Sequence, residues 1–189
     1  LAVQFWHGYG GGTYIAWLVK ERRENPSDDI VSKIALAEVD GERLPDDVVV
    51  SFFRQLLNAG GDTTYRGTCA LLVGLLTNPE QLAAVRANRA LLPQAINEAL
   101  RWNPPVVHGF RWASQDTTIA GVPIAAGSVL DIIIGSANRD PARFPDPDRF
   151  NIFREATNRH IAFATGPHVC IGQHLARLEM TRAMGAVVD

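Results

Sequence analysis

The sequence contains few cysteines and no long apolar run. Only two cysteines, Cys69 and Cys170, occur among 189 residues, which excludes a disulfide framework and indicates a reducing compartment. No apolar run approaches the roughly 20 residues that a membrane helix needs, and no signal-peptide pattern opens the chain. We therefore expect a cytoplasmic protein with free thiols and no membrane partner.

The charges nearly cancel. Lysine and arginine number 18 and aspartate and glutamate 20, so the formal net charge is -2. This balance excludes the broad cationic surface that nucleic-acid-binding proteins use, and no nucleic-acid partner is expected. The hydrophobic content of 47% is enough for one core. The chain starts without methionine and stops at Asp189 inside a helical pattern, which predicts that 1–189 is part of a single larger domain.

Hydrophobic periodicity predicts a mainly α-helical chain with a small antiparallel β-sheet. The predicted helices cover 14–24, a long segment from Pro45 to about 77, 79–88, 93–101 and 173–185. Short apolar runs separated by Gly121 and Gly127 predict the sheet between 111 and 135. The glycines of 8–12 lack the lysine and the spacing of a phosphate-binding loop, so a flexible linker is predicted there.

Two adjacent glycines interrupt the long predicted helix. Gly60 and Gly61 are followed by Asp62, Thr63 and Thr64, a run that costs about 2 to 3 kcal/mol relative to alanines in a helix interior. Glycines here let a flat or bulky group lie against the helix backbone. A simple kink or break in the helix is the alternative.

Cys170 directly precedes the last predicted helix. A helix N-terminus favours the thiolate form of a cysteine and its binding to a metal. A zinc site of His168, Cys170 and His174 has only three ligands, since Cys69 lies in a distant helix. A buried structural cysteine is a further alternative. The residues by themselves leave these alternatives open.

Five motifs, taken together, resemble the cytochrome P450 superfamily. The stretch 163–172 matches the haem-binding signature Phe-x-x-Gly-x-Arg/His-x-Cys-x-Gly, and 98–101 matches the Glu-x-x-Arg motif. The stretch 59–64 resembles the oxygen-activation motif, and 138–141 and 146–150 resemble two further landmarks in the family's order. The chain is thus similar to the C-terminal part of soluble bacterial members, without the N-terminal region and the extreme C-terminus.

The resemblance implies a haem b cofactor with Cys170 as the axial thiolate ligand of its iron. Asp62 and Thr63 would form the acid and alcohol pair that delivers protons during O2 activation. Gly60 and Gly61 would leave room for that chemistry. The remaining implied roles are cofactor contact by Phe163, His168, Arg111 and Gly172, substrate contact by Leu56, Ala59, Val106, Val107 and His108, and a buried ion-pair brace of Glu98, Arg101 and Arg149.

The implied reaction is a monooxygenation. One atom of O2 would enter a small hydrophobic organic substrate, with electrons from NAD(P)H through ferredoxin and ferredoxin reductase or a similar donor. A haem-binding electron-transfer or gas-sensing protein is one alternative, although Asp62 and Thr63 would then have no purpose. A peroxide-using peroxygenase is another. Ala164 stands where many family members have glycine, and Pro167 stiffens the loop, so the fine geometry near Cys170 is expected to differ.

Overall fold

The computed structural model describes residues 10–155 and 157–188, without the side chains of 10–13. The helices in these ranges are α1 Gly10–Glu24, α2 Ile30–Ala35, α3 Asp46–Leu76, α4 Pro79–Ala87, α5 Leu92–Trp102, α6 Ile134–Ala137 and α7 Gln173–Val187. The strands are β1 Glu38–Val39, β2 Glu42–Arg43, β3 His108–Trp112, β4 Thr117–Ile119, β5 Val122–Ile124 and β6 Val129–Ile133. Short 3-10 turns cover Arg89–Leu91, Thr157–Arg159 and Gly166–His168.

The chain divides into two compact units, Leu1–Gly61 and Asp62–Asp189. The core of the first unit consists of five apolar side chains from α1, α2 and α3, namely Ile15, Val19, Ala35, Val49 and Phe53. Asp29 caps α2, because its side chain accepts a hydrogen bond from the Ser32 N–H at 2.7 Å.

The glycine-rich linker predicted for 8–12 is only partly described. Residues 1–9 lie outside the described ranges, and Gly10–Gly12 form the first turn of α1. For these three glycines, helix replaces the predicted linker.

The core of the second unit forms around α5, whose inner face is buried from Leu92 to Arg101. It also includes apolar side chains of α3, α4, α7 and the segment around 150, among them Leu71, Leu75, Val85, Ile96, Phe150, Ile152, Met180 and Met184. Two glycines of α3 make this packing possible. A methyl group on Gly67 would lie 3.3 Å from Leu100 and 3.4 Å from Met180, and one on Gly74 would lie 2.5 Å from the Phe150 ring.

The strands form three separate antiparallel ribbons, β1 with β2, β3 with β6, and β4 with β5. In the largest ribbon His108 lies opposite Ile133 and Arg111 opposite Leu130. Gly121 and Gly127 both have φ near +82°, the left-handed conformation that a turn glycine adopts easily. The antiparallel pairing was predicted, but the single predicted sheet is in fact several ribbons.

Helix α3 runs without a break through the two glycines. It extends for 31 residues and begins with Asp46 and Asp47, whose carboxylates suit the positive end of the helix dipole. The alternative of a break at Gly60 and Gly61 is therefore wrong. Within the described ranges, no helix has both the length and the apolar character needed to cross a membrane.

Candidate functional site

The loop before α7 presents the Cys170 side chain to solvent. The Cys170 N–H donates to the Phe163 carbonyl at 2.8 Å, and the Cys170 carbonyl accepts a hydrogen bond from the Gln173 N–H at 3.3 Å. Gly172 is the N-cap of α7, so the cysteine lies just ahead of the helix N-terminus. A methyl group on Gly172 would lie 3.9 Å from Cys170 Sγ, in ordinary contact. Backbone hydrogen bonds therefore define the position of an otherwise accessible thiol.

Two residues of the Cys170 loop have a left-handed backbone. Gly166 has φ +71° and Ala164 φ +57°. Glycine adopts this conformation without strain, whereas a residue with a Cβ pays about 1 to 2 kcal/mol. Alanine at 164, where many family members have glycine, therefore strains the backbone, whereas glycine would adopt this conformation without strain.

The structure does not form the zinc site considered from the sequence. Across the described ranges, no group of three or more His, Cys, Asp or Glu side chains could hold a metal ion. Cys170 is exposed, which also contradicts the buried structural cysteine, and Cys69 is half-buried and free. With both alternatives excluded, Cys170 is an accessible thiol that lies just before a helix.

Glu98 and Arg101 form a fully buried bidentate ion pair on α5. Arg101 Nε lies 2.8 Å from Glu98 Oε2 and Arg101 Nη2 lies 2.8 Å from Oε1, and both side chains are 0% exposed. Arg101 also donates to the carbonyls of Asn138 at 3.1 Å, Pro147 at 2.8 Å and Arg149 at 3.2 Å. Every guanidinium N–H thus has an acceptor, as a buried cation requires.

Arg154, not Arg149, supplies the second guanidinium of this network. Arg149 contributes only its carbonyl, and its side chain is exposed. The side chain of Arg154 is 7% exposed, with Nε at 3.4 Å from Glu98 Oε1. It also donates to the carbonyls of Pro145, of Asp146 at 2.9 Å and of Arg149 at 3.1 Å. The prediction that the Arg149 side chain belongs to the ion-pair brace is therefore wrong. The Arg149 carbonyl points toward the network, and its side chain points to solvent.

The predicted oxygen-activation residues lie on continuous helix. A methyl group on Gly60 or Gly61 would meet no atom of the described residues within 4 Å, so internal packing does not require glycine there. Asp62 forms an ion pair with Arg66 one turn later, at 2.8 Å, with side chains 55% and 61% exposed. Thr63 is half-buried.

The predicted substrate contacts lie on two elements. Leu56 and Ala59 are exposed on α3. Val106 and Val107 are 43% and 44% exposed just before β3, which begins with His108.

Alternation along β3 separates His108 from Arg111. Successive strand residues point to opposite faces. The Val107 side chain lies next to Gly135, where an added methyl would come within 3.0 Å. The His108 ring instead stacks on Phe110 at 6.4 Å and lies 3.3 Å from Asp131 on β6. The substrate contact predicted for His108 stays a prediction, as do those of Val106 and Val107.

The two predicted propionate contacts are both exposed. His168 ends the 3-10 turn before Cys170. Arg111 donates from Nη1 to the Phe110 carbonyl at 2.8 Å, and its guanidinium has no ion-pair partner among the described residues. The His168 ring and the Arg111 guanidinium are therefore both accessible to an anionic group such as a carboxylate.

A family model described as cytochrome P450 matches residues 13–189. The chain belongs to the cytochrome P450 family. Cytochrome P450 107B1 of Saccharopolyspora erythraea is 42% identical over 179 residues, which cover 93% of this chain and 44% of that protein. Cyclomarin C epoxidase CymV of Salinispora arenicola is 40% identical over 176 residues, with 93% and 44% covered. The chain thus spans less than half the length of these curated P450 relatives.

Solved P450 structures match the fold. The crystal structure of CYP108D1 from Novosphingobium aromaticivorans superposes with a TM-score of 0.87 at 43% identity, over 94% of this chain and 43% of that one. This confirms the predicted family and the predicted fold class, mainly α with a small antiparallel β component, as the C-terminal portion of the P450 fold.

The residues present fit haem, the cofactor that P450 membership implies. The haem iron of a P450 would be held from the protein side by a cysteine thiolate. Cys170 is such a ligand, alone and accessible. The backbone around Cys170 leaves the sulfur open, since even a methyl group on Gly172 would lie 3.9 Å from it, and on α3 Gly60 and Gly61 leave a stretch without side chains.

Sequence reasoning missed several polar residues of these regions, because each lies outside the recognised motifs. They are Arg154, Arg66, Asp131 and His160. Only Arg66 had a signal in the sequence, its spacing of four residues from Asp62 on one helix.

Proposed function

We propose that the protein containing this chain is a haem-thiolate monooxygenase. The accessible Cys170, positioned by backbone hydrogen bonds just ahead of α7, is the observation that carries the proposal. The name of one relative, an epoxidase, supports chemistry in which an oxygen atom is added to an organic molecule.

In this proposal each exposed group has a distinct task. Cys170 would hold the haem iron through its thiolate. Arg111 and His168 would bind the haem propionates, because both are exposed donors. Phe163 and Gly172 shape the loop around the ligand. Haem, when bound, supplies the redox chemistry that activates O2.

The proposed proton delivery depends on Asp62 and Thr63. The Asp62 carboxylate accepts a proton from solvent on the exposed side of α3 and passes it on through the Thr63 hydroxyl. Arg66, at 2.8 Å from Asp62, holds the carboxylate in one orientation between transfers.

The proposed reaction balances with two electrons and two protons. One atom of O2 is inserted into a C–H or C=C bond of the substrate and the other leaves as water, while NAD(P)H is oxidised through a ferredoxin and its reductase. A small hydrophobic substrate suits the exposed apolar Leu56, Ala59, Val106 and Val107. His108, which begins β3 directly after the two valines, remains among the proposed substrate contacts. A cytoplasmic location, expected from the cysteine usage, belongs to the same proposal.

The first test is the absorption spectrum of the full-length, haem-loaded, dithionite-reduced protein with carbon monoxide. A strongly red-shifted Soret band is expected in the wild type, because a thiolate ligand shifts this band. Cys170→Ser should abolish it, whereas Cys69→Ser, the matched control, should retain it. A shifted band that persists in Cys170→Ser would overturn the assignment of the ligand.

A second test separates monooxygenation from electron transfer or gas sensing. Thr63→Ala should divert electrons from product to hydrogen peroxide, because the proton relay has lost its hydroxyl. Thr68→Ala is the control, since the Thr68 hydroxyl already donates to the Thr64 carbonyl at 2.8 Å. Equal coupling in the two variants would favour the alternatives. Full product formation with hydrogen peroxide in place of the reductant would favour a peroxygenase.

A further inference from the structure

His160 is a buried histidine with a defined protonation state. Its residue is 8% exposed, and its Nδ1 accepts a hydrogen bond from the Ala162 N–H at 3.1 Å. An accepting Nδ1 carries no proton, so the ring is neutral and its proton is on Nε2. Among the described residues Nε2 has no hydrogen-bond partner. A second proton on this ring would therefore break the bond to Ala162.

The same ring contacts the segment that positions Cys170. His160 packs on Phe163 with ring centroids 6.0 Å apart, and Phe163 accepts the Cys170 N–H at 2.8 Å through its carbonyl. Arg177 of α7 also lies over the Phe163 ring, with its guanidinium carbon 4.9 Å from the ring centroid. His160 is thus linked to the cysteine through its ring contact with Phe163 and the hydrogen bond between the Phe163 carbonyl and the Cys170 N–H.

Positive charges approach His160 from two packed helices. Arg177 on α7 and Arg101 on α5 both disfavour protonation, and Arg101 is itself neutralised by Glu98. Burial, followed by Arg177 and Arg101, lowers the pKa of His160 from 6.5 to about 4. The neighbouring backbone is bound as well, because the Ile161 N–H donates to Asn138 Oδ1 at 2.9 Å.

We propose that neutral His160 is a positioning residue for the Cys170 ligand loop: its Nδ1 holds the Ala162 N–H and its ring supports Phe163, so that protonation of His160 releases the loop. The inference rests on the proposed function only in taking Cys170 as the haem ligand. His160 acts in this proposal through Ala162 and Phe163, the two residues it contacts.

The sign of the pH effect follows from linkage. A loop-released state exposes His160, whose pKa returns toward 6.5, so the released state binds the extra proton. The closed loop is therefore fully favoured above pH 6.5 and is progressively lost as the pH falls toward about 4. Over that window the ratio of released to closed protein rises by a factor on the order of 100.

The test follows the red-shifted Soret band of the reduced carbon monoxide complex against pH in full-length, haem-loaded protein. His160→Asn keeps an acceptor near the Nδ1 position and cannot be protonated in this range. It should retain the band at neutral pH and lose it at a midpoint at least one pH unit lower than the wild type. His160→Phe keeps the ring volume without the acceptor and should lose part of the band already at neutral pH.

Two further measurements make the test specific. Ring nitrogen NMR shifts of labelled histidine should show His160 with its proton on Nε2 at neutral pH, whether or not haem is bound. His174→Asn, on the exposed side of α7, is the control and should have the wild-type midpoint. Far-UV circular dichroism separates loop release from unfolding of the whole protein.

The outcomes are distinguishable. A His160→Asn midpoint equal to that of the wild type, or a His160 ring that titrates near 6.5, would overturn the positioning role while the red-shifted band leaves the proposed function intact. Absence of the band in wild-type protein at neutral pH would instead overturn the proposed function, and this inference with it.

Discussion

The Glu98 network and the Cys170 loop show two ways of arranging polar groups. In the network, Glu98 and Arg101 are 0% exposed and every donor of Arg101 has an acceptor. In the loop, backbone bonds and two left-handed residues define the course of the chain, while the Cys170 and His168 side chains remain exposed.

The difference separates residues that stabilise the fold from residues that remain available for chemistry. A buried ion pair is sensitive to the loss of either partner, because the other is left charged and desolvated. An exposed side chain can be replaced with little change in stability. Substitutions in the Glu98 network should therefore lower mainly stability, and substitutions of exposed side chains in the Cys170 loop should change mainly function.

The largest effect is expected for Arg101→Ala. It leaves Glu98 buried without its partner and several carbonyls without donors, which should lower the unfolding free energy by about 3 to 5 kcal/mol. Denaturant unfolding of the full-length protein measures this. Arg149→Ala is the control and should change stability by less than about 0.5 kcal/mol, because its exposed side chain is removed and its carbonyl stays. Equal losses in both variants would restore Arg149 to the brace.

Gly74→Ala should have the next largest effect. The new methyl would lie 2.5 to 2.7 Å from atoms of the Phe150 ring, which is too close for either group to remain in place. Overpacking of this kind lowers stability by about 1 to 3 kcal/mol. The thermal midpoint of unfolding reports it, and the double variant Gly74→Ala with Phe150→Leu should recover part of the loss. No recovery would show that the clash is not with Phe150.

Gly60→Ala should act in the opposite sense on stability. Alanine favours helix by about 1 kcal/mol over glycine, and a methyl at this position meets no described atom within 4 Å. The unfolding midpoint should rise slightly, while haem retention or coupling of electrons to product should fall if the glycines make room for the cofactor. A variant with unchanged haem content and coupling would remove Gly60 from the site.

Ala164→Gly should have the smallest effect. It relieves the strain of φ +57°, but glycine also increases the freedom of the unfolded chain, so the net gain is about 0.5 kcal/mol. Ala162→Gly in the same loop, where φ is not positive, should be destabilising instead. A loss of stability in Ala164→Gly would mean that the methyl group contributes more by packing than it costs in strain.

Local patterns predicted much of the fold. The periodicity of α3, α5 and α7, the caps and the two turn glycines identified the helices and the antiparallel strands. The number of ribbons was not predictable, since strand pairing depends on contacts distant in sequence.

The candidate site was predictable where a motif has a fixed local geometry. Cys170 before a helix and Glu98 with Arg101 on one helical face are of this kind. Arg154 and Asp131 were not, because their partners lie on other elements, Glu98 on α5 and His108 on β3. The contacts of His160 with Ala162 and Phe163 are local, but its burial depends on packing that residue types do not specify. The orientation of Arg149 depends on a turn that residue types alone do not specify.

In the core of the second unit, the Cα atom of Gly74 lies so close to the Phe150 ring that a methyl group at 74 would occupy the space of the ring, although the two residues are 76 positions apart in the sequence. Neither position can vary alone, because a larger residue on α3 requires a smaller ring opposite it. Across family members these two positions should therefore change together, with alanine or serine at 74 accompanied by a side chain smaller than phenylalanine at 150. An alignment of family members should therefore show correlated substitutions at 74 and 150, even among members whose functional residues are identical.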